Sequence, residues 1–564
     1  LENNYCFRVE VYPLFSYMKV TDKKNPYMKP DLKMDTLFRN IAKQLKKAIE
    51  EKDISISELA KKADVSDATL SRILSGEANP SFDKIVRIAK SLEISLDKLT
   101  GLPIKEVESN APTLEQEDYS NETDILASFE ISDTDLTPSQ ASRMLTSAAN
   151  GTWIAHPHDS LIKENTPRVK PIFCMQTGTR KICVDLAFPH TYVEEGSIAS
   201  LIGVIGSALA GTQAKLMDIR IPTALVRTFK APFNGRQSIL EKMSETPRPL
   251  LSVTMRPMTG LTPQHYADTV YKLLKNGVDF TCDPTMMHSL PEHDFRERVN
   301  RIAEVINELK YEESLRNKHH MVNVSAATTE EVIDRARHAV YAGLKYLLID
   351  TSATGFSTLQ SLRKFAEEHD VIIAAMGARG MQTATMSEQV IAKLLRFAGA
   401  DIVSIPSPLG ESFQNSRRQV KGTILSLIGD DPIAQDHLGL SFDQPTLCMK
   451  QSIPAVGGGH NPWHFPRIID TVGAGCIIQC GANVMSHPNG IEAGAKANIA
   501  AVTALMEASK KGQSLAVEGK KILQESARHN EALKEALKHW SEGAFLFGVI
   551  EGDKTNISGT IKVV

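Results

Sequence analysis

The chain has 564 residues, and 64 Lys+Arg against 67 Asp+Glu leave a formal net charge of −3. With 42% hydrophobic and 23% charged residues it has the composition of a globular protein, and at about 150 residues per domain its length implies three or four domains. Near-neutrality excludes a polybasic whole-chain nucleic-acid binder, but an average over domains leaves room for a local DNA-binding module. The longest apolar run, residues 198–210, falls short of the roughly 20 residues that a membrane-spanning helix needs. No charged-then-apolar signal opens the chain. The seven cysteines are dispersed without a CxxC, which points to reduced thiols and a cytoplasmic location rather than a disulfide framework.

Residues 1–33 mix aromatics, Lys and Pro without a clear period and read as a tail, with Met18, Met28 and Met34 as candidate starts. A helical pattern follows: Leu37, Ile41, Leu45, Ala48 and Ile49 recur at three- and four-residue spacing and make one apolar face. In the segment from Ile54 to Gly76, Ser55 or Ser57 caps a short helix with Leu59 and Ala60 inside, and Asp64-Val65 makes a tight turn. Ser66 then caps a second helix whose inward residues are Leu70 and Ile73. Small Ala60 suits a close helix crossing, and Gly76 suits a left-handed helix end before Asn79-Pro80-Ser81.

This pattern, continued through Phe82 to Leu99, resembles the Cro/C1-type helix-turn-helix domain, here taken as residues 34–102. The resemblance implies that the second helix lies in the major groove, so that outward Ser66, Asp67, Ala68, Thr69, Ser71 and Arg72 meet bases and phosphates. Ile56 takes the place of a Gln with which the family commonly contacts phosphate. Between Thr36 and Thr100 twelve Lys/Arg face ten Asp/Glu, a mildly basic balance. The competing reading is a small helical bundle used for protein contacts.

Residues 103–123 are acidic and poor in apolar side chains, as expected of a solvated linker. A strand-like run at 124–131 then opens an α+β region reaching about Pro247. Beyond it, eight apolar runs alternate with helical patterns: 250–257, 278–283, 321–327, 346–351, 371–377, 401–406, 446–459 and 476–484. Eight βα units predict a closed parallel barrel with its site at the C-terminal ends of the strands. Glu531 to Trp540 reads as an amphipathic helix docked on that barrel, and Gly559 to Val564 as an edge strand within a C-terminal tail, 544–564.

Several blocks then carry a second resemblance. Gly151-Thr-Trp153, Arg248-Pro-Leu250, Gly260-Leu261, Gly277-Val-Asp-Phe-Thr281, Thr354-Gly-Phe356, Gly457-Gly-Gly-His-Asn-Pro-Trp-His464 and His487-Pro488 occur in the order of the RuBisCO large-subunit superfamily. The resemblance implies a ferredoxin-like domain (124–247), a (β/α)8 TIM barrel (248–543), and an antiparallel homodimer. The family's magnesium site needs a carbamylated Lys, an Asp and a Glu after strand two, because a hard cation takes oxygen donors. Cys282, Pro284 and Thr285 stand at those places, so no metal and no cofactor are expected. Arg256 and Met258 replace the paired lysines, Met376 to Gly380 the His-Arg block, Ser404 a His and Glu411 the mobile-loop Lys. Ser147 and Val204 stand for an N-terminal Glu and Asn.

Thr152, Trp153, Gly458, Gly459 and Gly481 match the family and are expected to bind a phosphorylated ligand. Glycines after strands seven and eight let backbone N–H groups approach phosphate oxygens. Inherited turn closure is the plainer reading of the same glycines. Candidate catalytic residues are Cys282 as a thiolate beside Arg256, together with Asp283 and Arg379; a small buried thiol is the plainer reading of Cys282. Asp350 is a further ligand candidate, and His460, His464 and His487 are read as packing residues. The expected function is a DNA-binding regulator with a catalytically altered, metabolite-sensing body. The alternative is a RuBisCO-like isomerase, enolase or decarboxylase acting on a sugar-phosphate-like substrate.

Overall fold

The computed structural model describes residues 42–49, 54–63, 65–75, 82–92, 122–132, 134–151, 168–244, 246–291, 293–377, 380–409 and 413–540. The chain divides into two compact units, Leu1–Asn110 and Ala111–Val564.

The first unit is a helical bundle. Residues 42–49 are helical, and helices Ile56–Lys62, Asp67–Ser75 and Phe82–Ser91 follow. Ser55, in extended conformation, caps the first of these by accepting from Glu58 N at 3.2 Å. Ser66 does the same for the next helix through Thr69 N, also at 3.2 Å. Leu45, Leu59, Ala60, Leu70, Ile73, Ile88 and Leu92 form the core. Ala60 is completely buried, so the small side chain expected at the crossing is where it was placed. Gly76 and residues 79–81 lie outside the described residues.

The second unit begins with a four-stranded antiparallel sheet. Its strands are β1 (Ile125–Ser132), β2 (Lys170–Gly178), β3 (Lys181–Phe188) and β4 (Ala214–Arg220), in the order β2-β3-β1-β4. Helix Pro138–Ala149, started by a Thr137/Gln140 capping box and an N-terminal proline, packs against β2 and β3. This is the ferredoxin-like domain.

Eight parallel strands then close a barrel: β5 (Leu250–Thr254), β6 (Phe280–Cys282), β7 (His319–Asn323), β8 (Tyr346–Asp350), β9 (Ile372–Met376), β10 (Ile402–Ile405), β11 (Ile453–Val456) and β12 (Ile477–Cys480). β12 pairs with β5, and helices lie outside as in a TIM barrel. Leu250, Phe280, Tyr346, Ile372, Ile402 and Ile453 fill the interior, and helix Arg236–Met243 closes the N-terminal end with Ile239 and Met243. The alternate residues, such as Leu251, Val253, Leu347 and Ile373, pack under the helices.

The sheet domain is bound to the barrel through buried polar pairs. Lys393 Nζ reaches Asp218 Oδ1 at 2.5 Å with both side chains at most 1% exposed. The Gln444 amide brackets the backbone N–H and C=O of Ile221 at 2.9 and 3.0 Å. The closing helix Glu531–His539 docks as its apolar stripe requires, burying Leu533 and Ala536. Trp463 Nε1 donates to the carbonyls of Leu537 and Trp540 beside it. Among the described residues no helix is long and apolar enough to cross a membrane. The segment 559–564 lies outside the described residues.

Candidate functional site

Side-chain alternation along each strand decides what reaches the C-terminal mouth of the barrel. Phe280, Tyr346, Leu348, Ile402 and Ile477 point inward. The same faces therefore carry Thr254, Cys282, Asn323, Asp350, Met376, Ser404, Gly457 and Gln479 toward the mouth. This layer is a ring of hydroxyl, thiol, amide and thioether groups with one carboxylate.

Cys282 is 1% exposed, and its Sγ lies 3.3 Å from Thr254 Oγ1 and 3.7 Å from Ser252 Oγ. Burial pushes its thiol up despite the two hydroxyls, and the pull of Arg256 is weaker still. The side chain is held as a neutral thiol, not as the thiolate a nucleophile requires. Arg256 is exposed, with Met286 Sδ at 4.0 Å from its Nη1.

Asp283 follows Cys282 directly and so faces the opposite way, into the layer between barrel and helices. Tyr266 Oη donates to Oδ1 at 2.7 Å, and His320 Nε2 lies 3.0 Å from the same oxygen. Oδ2 accepts from the Asn323 backbone N–H at 3.0 Å and from Arg298 Nη2 at 3.4 Å. The Arg298 guanidinium and His320 hold the carboxyl far below the usual carboxylate range despite complete burial. Both oxygens are occupied by the fold, which leaves no open acid or base at this position. Arg379, the remaining catalytic candidate, lies outside the described residues.

Asp350 is the carboxylate that does face the mouth, at 9% exposure. Its Oδ1 caps helix Thr351–His369 by accepting from Ser352 N at 2.9 Å and Ala353 N at 3.4 Å. A Cβ on Gly377 would lie 2.2 Å from that oxygen, so the bare glycine gives the carboxylate its place. Gln479 Nε2 donates to Met376 Sδ at 3.0 Å across the opening, while its Oε1 would lie 3.1 Å from a Cβ on Gly457.

Of the phosphate-cradle candidates, Gly458 and Gly459 adopt left-handed φ values of 87° and 61° after β11, a conformation that favours glycine. Gly481 precedes the short helix Ala482–Met485, and a side chain there would meet nothing within 4 Å. Packing therefore does not demand a glycine at 481. Thr152 and Trp153 lie outside the described residues. The three nearby histidines are committed to the loops: His460 Nε2 to the Gly457 carbonyl, His464 Nδ1 to the Asn461 N–H, and His487 Nε2 to the Ala532 carbonyl.

The magnesium site implied by the resemblance does not fit these residues. The resemblance assigns a neutral buried thiol, a proline and a threonine to its donor positions, and Asp283 spends both oxygens on Tyr266, His320, Asn323 and Arg298. Among the described residues no group of three or more His, Cys, Asp and Glu side chains is placed to hold a metal.

The mouth residues Thr254 and Gln479 were not singled out from the sequence. Strict alternation from Leu250 and Ile477 was the signal that could have found them.

On the helical unit, Asp67, Ala68, Ser71 and Arg72 are exposed on the second helix, while Leu70, Ile73 and Leu74 are buried. Ser66 is also exposed but is already committed: its hydroxyl caps the helix and pairs with half-buried Thr69 Oγ1 at 2.8 Å. The side chains left open on this face are Asp67, Ser71 and Arg72. Ile56 is 40% exposed at the start of its helix.

Three family models match the chain. The one described as ribulose bisphosphate carboxylase large chain, catalytic domain, covers residues 235–540. Its N-terminal-domain counterpart covers 113–225, and a helix-turn-helix model covers 45–99. With more than half of its residues under the catalytic-domain match, and with the closed parallel barrel that match requires, the chain belongs to the RuBisCO large-chain family and carries a helix-turn-helix domain on its N-terminal side.

Proposed function

We propose that this protein is a DNA-binding transcriptional regulator whose RuBisCO-like body pairs two copies and binds a phosphorylated small molecule, and that it is not a CO2-fixing carboxylase. The observation that carries the reading is the division of the second helix of the helix-turn-helix. Leu70, Ile73 and Leu74 anchor it, while Asp67, Ser71 and Arg72 stand open along the outer face. A guanidinium there suits a guanine edge in the major groove, and a carboxylate suits the cytosine amino group. Two copies related by a two-fold axis read half-sites about one helical turn apart.

The mouth of the barrel supports the second half of the reading. Among the described residues it offers neutral hydrogen-bonding groups, one carboxylate at Asp350, and left-handed glycines at 458 and 459 whose bare backbone leaves an anion room to approach the N–H groups. The assignment of Cys282, Pro284 and Thr285 to the metal-donor places, which the resemblance implies, supports reading the body as something other than a carboxylase.

The test is capture of DNA fragments from the region upstream of the protein's own gene, followed by anisotropy titration at rising salt. Selective binding that weakens steeply with salt is expected. Absence of salt-sensitive binding to any sequence overturns the regulator reading. Addition of sugar phosphates, with and without magnesium, tests the sensing part: a ligand at one hundred times its dissociation constant stabilises the body by about 2.7 kcal/mol.

A further inference from the structure

A cavity lies at the other end of the barrel from the mouth. It is an open cleft of about 1230 Å3 where the chain enters the barrel strands, between helix Arg236–Met243 and the turns before β5, β11 and β12. Six charged side chains line it: Arg236, Arg248, Lys450, Glu241, Asp430 and Asp431.

All six have hydrogen-bond partners, and for Lys450 and Arg236 these are backbone carbonyls. Arg248 forms a two-pronged pair with Asp279, at 2.7 and 2.8 Å. Lys450 Nζ donates to the Phe233 carbonyl at 2.6 Å and sits over the Phe233 ring. Asp431 accepts from the backbone and hydroxyl of Thr446, and Asp430 accepts from Gln451 Nε2. Both aspartates also act on the Arg396 guanidinium. Glu241 accepts from Gln237.

Arg236 differs in that, among the described residues, no hydrogen bond reaches its two terminal nitrogens. Its backbone N–H bonds to the Gln451 carbonyl and its Nε to the Gly475 carbonyl at 3.1 Å, which fixes the side chain across the floor of the cavity. The guanidinium lies so flat on Gly475 that a Cβ there would come within 1.8 Å of Nη2. Among the described residues no carboxylate pairs with it. Half-burial lowers its affinity for the proton, opposed by the buried Cys476 thiol and not by a carboxylate. A partly desolvated cation held in place without an anion is costly, and the two terminal nitrogens present the fork that carboxylate and phosphate groups match.

We propose that this cavity is an anion site separate from the barrel mouth, in which Arg236 grips the carboxylate or phosphate group of a small organic acid or phosphate ester. The volume far exceeds a single ion, so the anionic group belongs to a larger metabolite. Gly475 is the positioning residue that lets the guanidinium lie across the floor.

Inorganic phosphate and succinate are the probes, titrated calorimetrically into the full-length protein. Each is expected to bind, and R236Q is expected to weaken one site at least tenfold while circular dichroism stays unchanged. G475A retains the charge but displaces the guanidinium, and it should weaken the same site. A phosphate site at the mouth would survive both substitutions, so two sites should become one. In the unaltered protein, both probes should slow phenylglyoxal modification of Arg236, read by peptide mass, and leave that of Arg72 unchanged. The proposal is overturned if neither probe binds, if R236Q binds both as the parent does, or if Arg236 gains no protection. The protection arm also decides the matter should both variants fail to fold.

Discussion

Asp283→Asn removes one charge from the middle of a network with no access to water. In the native protein the side chains of Asp283, Arg298 and His320 are each 0% exposed, and the carboxylate accepts four hydrogen bonds. An asparagine retains one acceptor oxygen and turns an amide donor toward donors already present: either Arg298 Nη2 and Asn323 N, or Tyr266 Oη and His320 Nε2. The Arg298 guanidinium is then buried without a counter-charge, a loss of about 3–5 kcal/mol. Chemical denaturation of the body, followed by tryptophan fluorescence, measures it.

The pair D283N/R298M should recover at least half of the loss, because the unpaired cation is gone. pH supplies a second reading. The folded carboxyl titrates below its unfolded value, so its stabilisation is complete above about pH 4 and is lost as pH falls through the folded pKa. D283N should lack that part of the acid limb. If D283N unfolds within about 1 kcal/mol of the parent, and instead abolishes ligand binding or turnover, the structural assignment of Asp283 is wrong and the catalytic candidacy returns.

Other outcomes follow from particular contacts. Arg72→Ala should weaken specific DNA binding by about 1–3 kcal/mol with unchanged helicity, measured by anisotropy on a captured fragment; undiminished specificity would remove Arg72 from the interface. Ala60→Leu forces extra volume into a completely buried crossing and should cost about 1–3 kcal/mol in the helix-turn-helix unit, with DNA binding falling in step. His460 is held neutral by burial, with its pKa pushed down to about 3. Below about pH 6.5 the unfolded chain binds a proton that the folded chain refuses, so stability declines as pH falls toward 3. His460→Asn should flatten the fall between pH 6.5 and 4.5 by about 2–3 kcal/mol in urea titrations. Cys282 is a neutral thiol, so iodoacetamide should leave it unmodified in the folded protein while exposed Cys448 reacts.

Much of the architecture was readable from the chain because it rests on local periodicity. All eight barrel strands lie within or close to the runs expected for them, and Ser55, Ala60, Ser66 and Leu70 occupy the roles their spacing implied. Boundaries were less legible. The run at 446–459 yields only Ile453–Val456 as strand, because Leu447 and Cys448 adopt left-handed φ values of 53° and 59° and fold the preceding residues into a turn. The site was harder still. Cys282 and Asp283 are neighbours in sequence and looked alike as candidates, yet a strand turns consecutive side chains to opposite faces. One lines the barrel, and the other is claimed by Tyr266, Arg298, His320 and Asn323 from four other positions along the chain.

The sequence by itself determined that this protein joins a helix-turn-helix to a RuBisCO-type barrel, since helix caps, apolar period and glycine-rich blocks are short-range properties. Tertiary structure alone decided which polar groups remain available. Packing consumes Asp283, neutralises Cys282 and ties one ring nitrogen each of His460, His464 and His487 to the backbone. It leaves Asp350 at the mouth and Arg236 on the barrel floor, because burial and partner geometry are set by residues far apart in the chain.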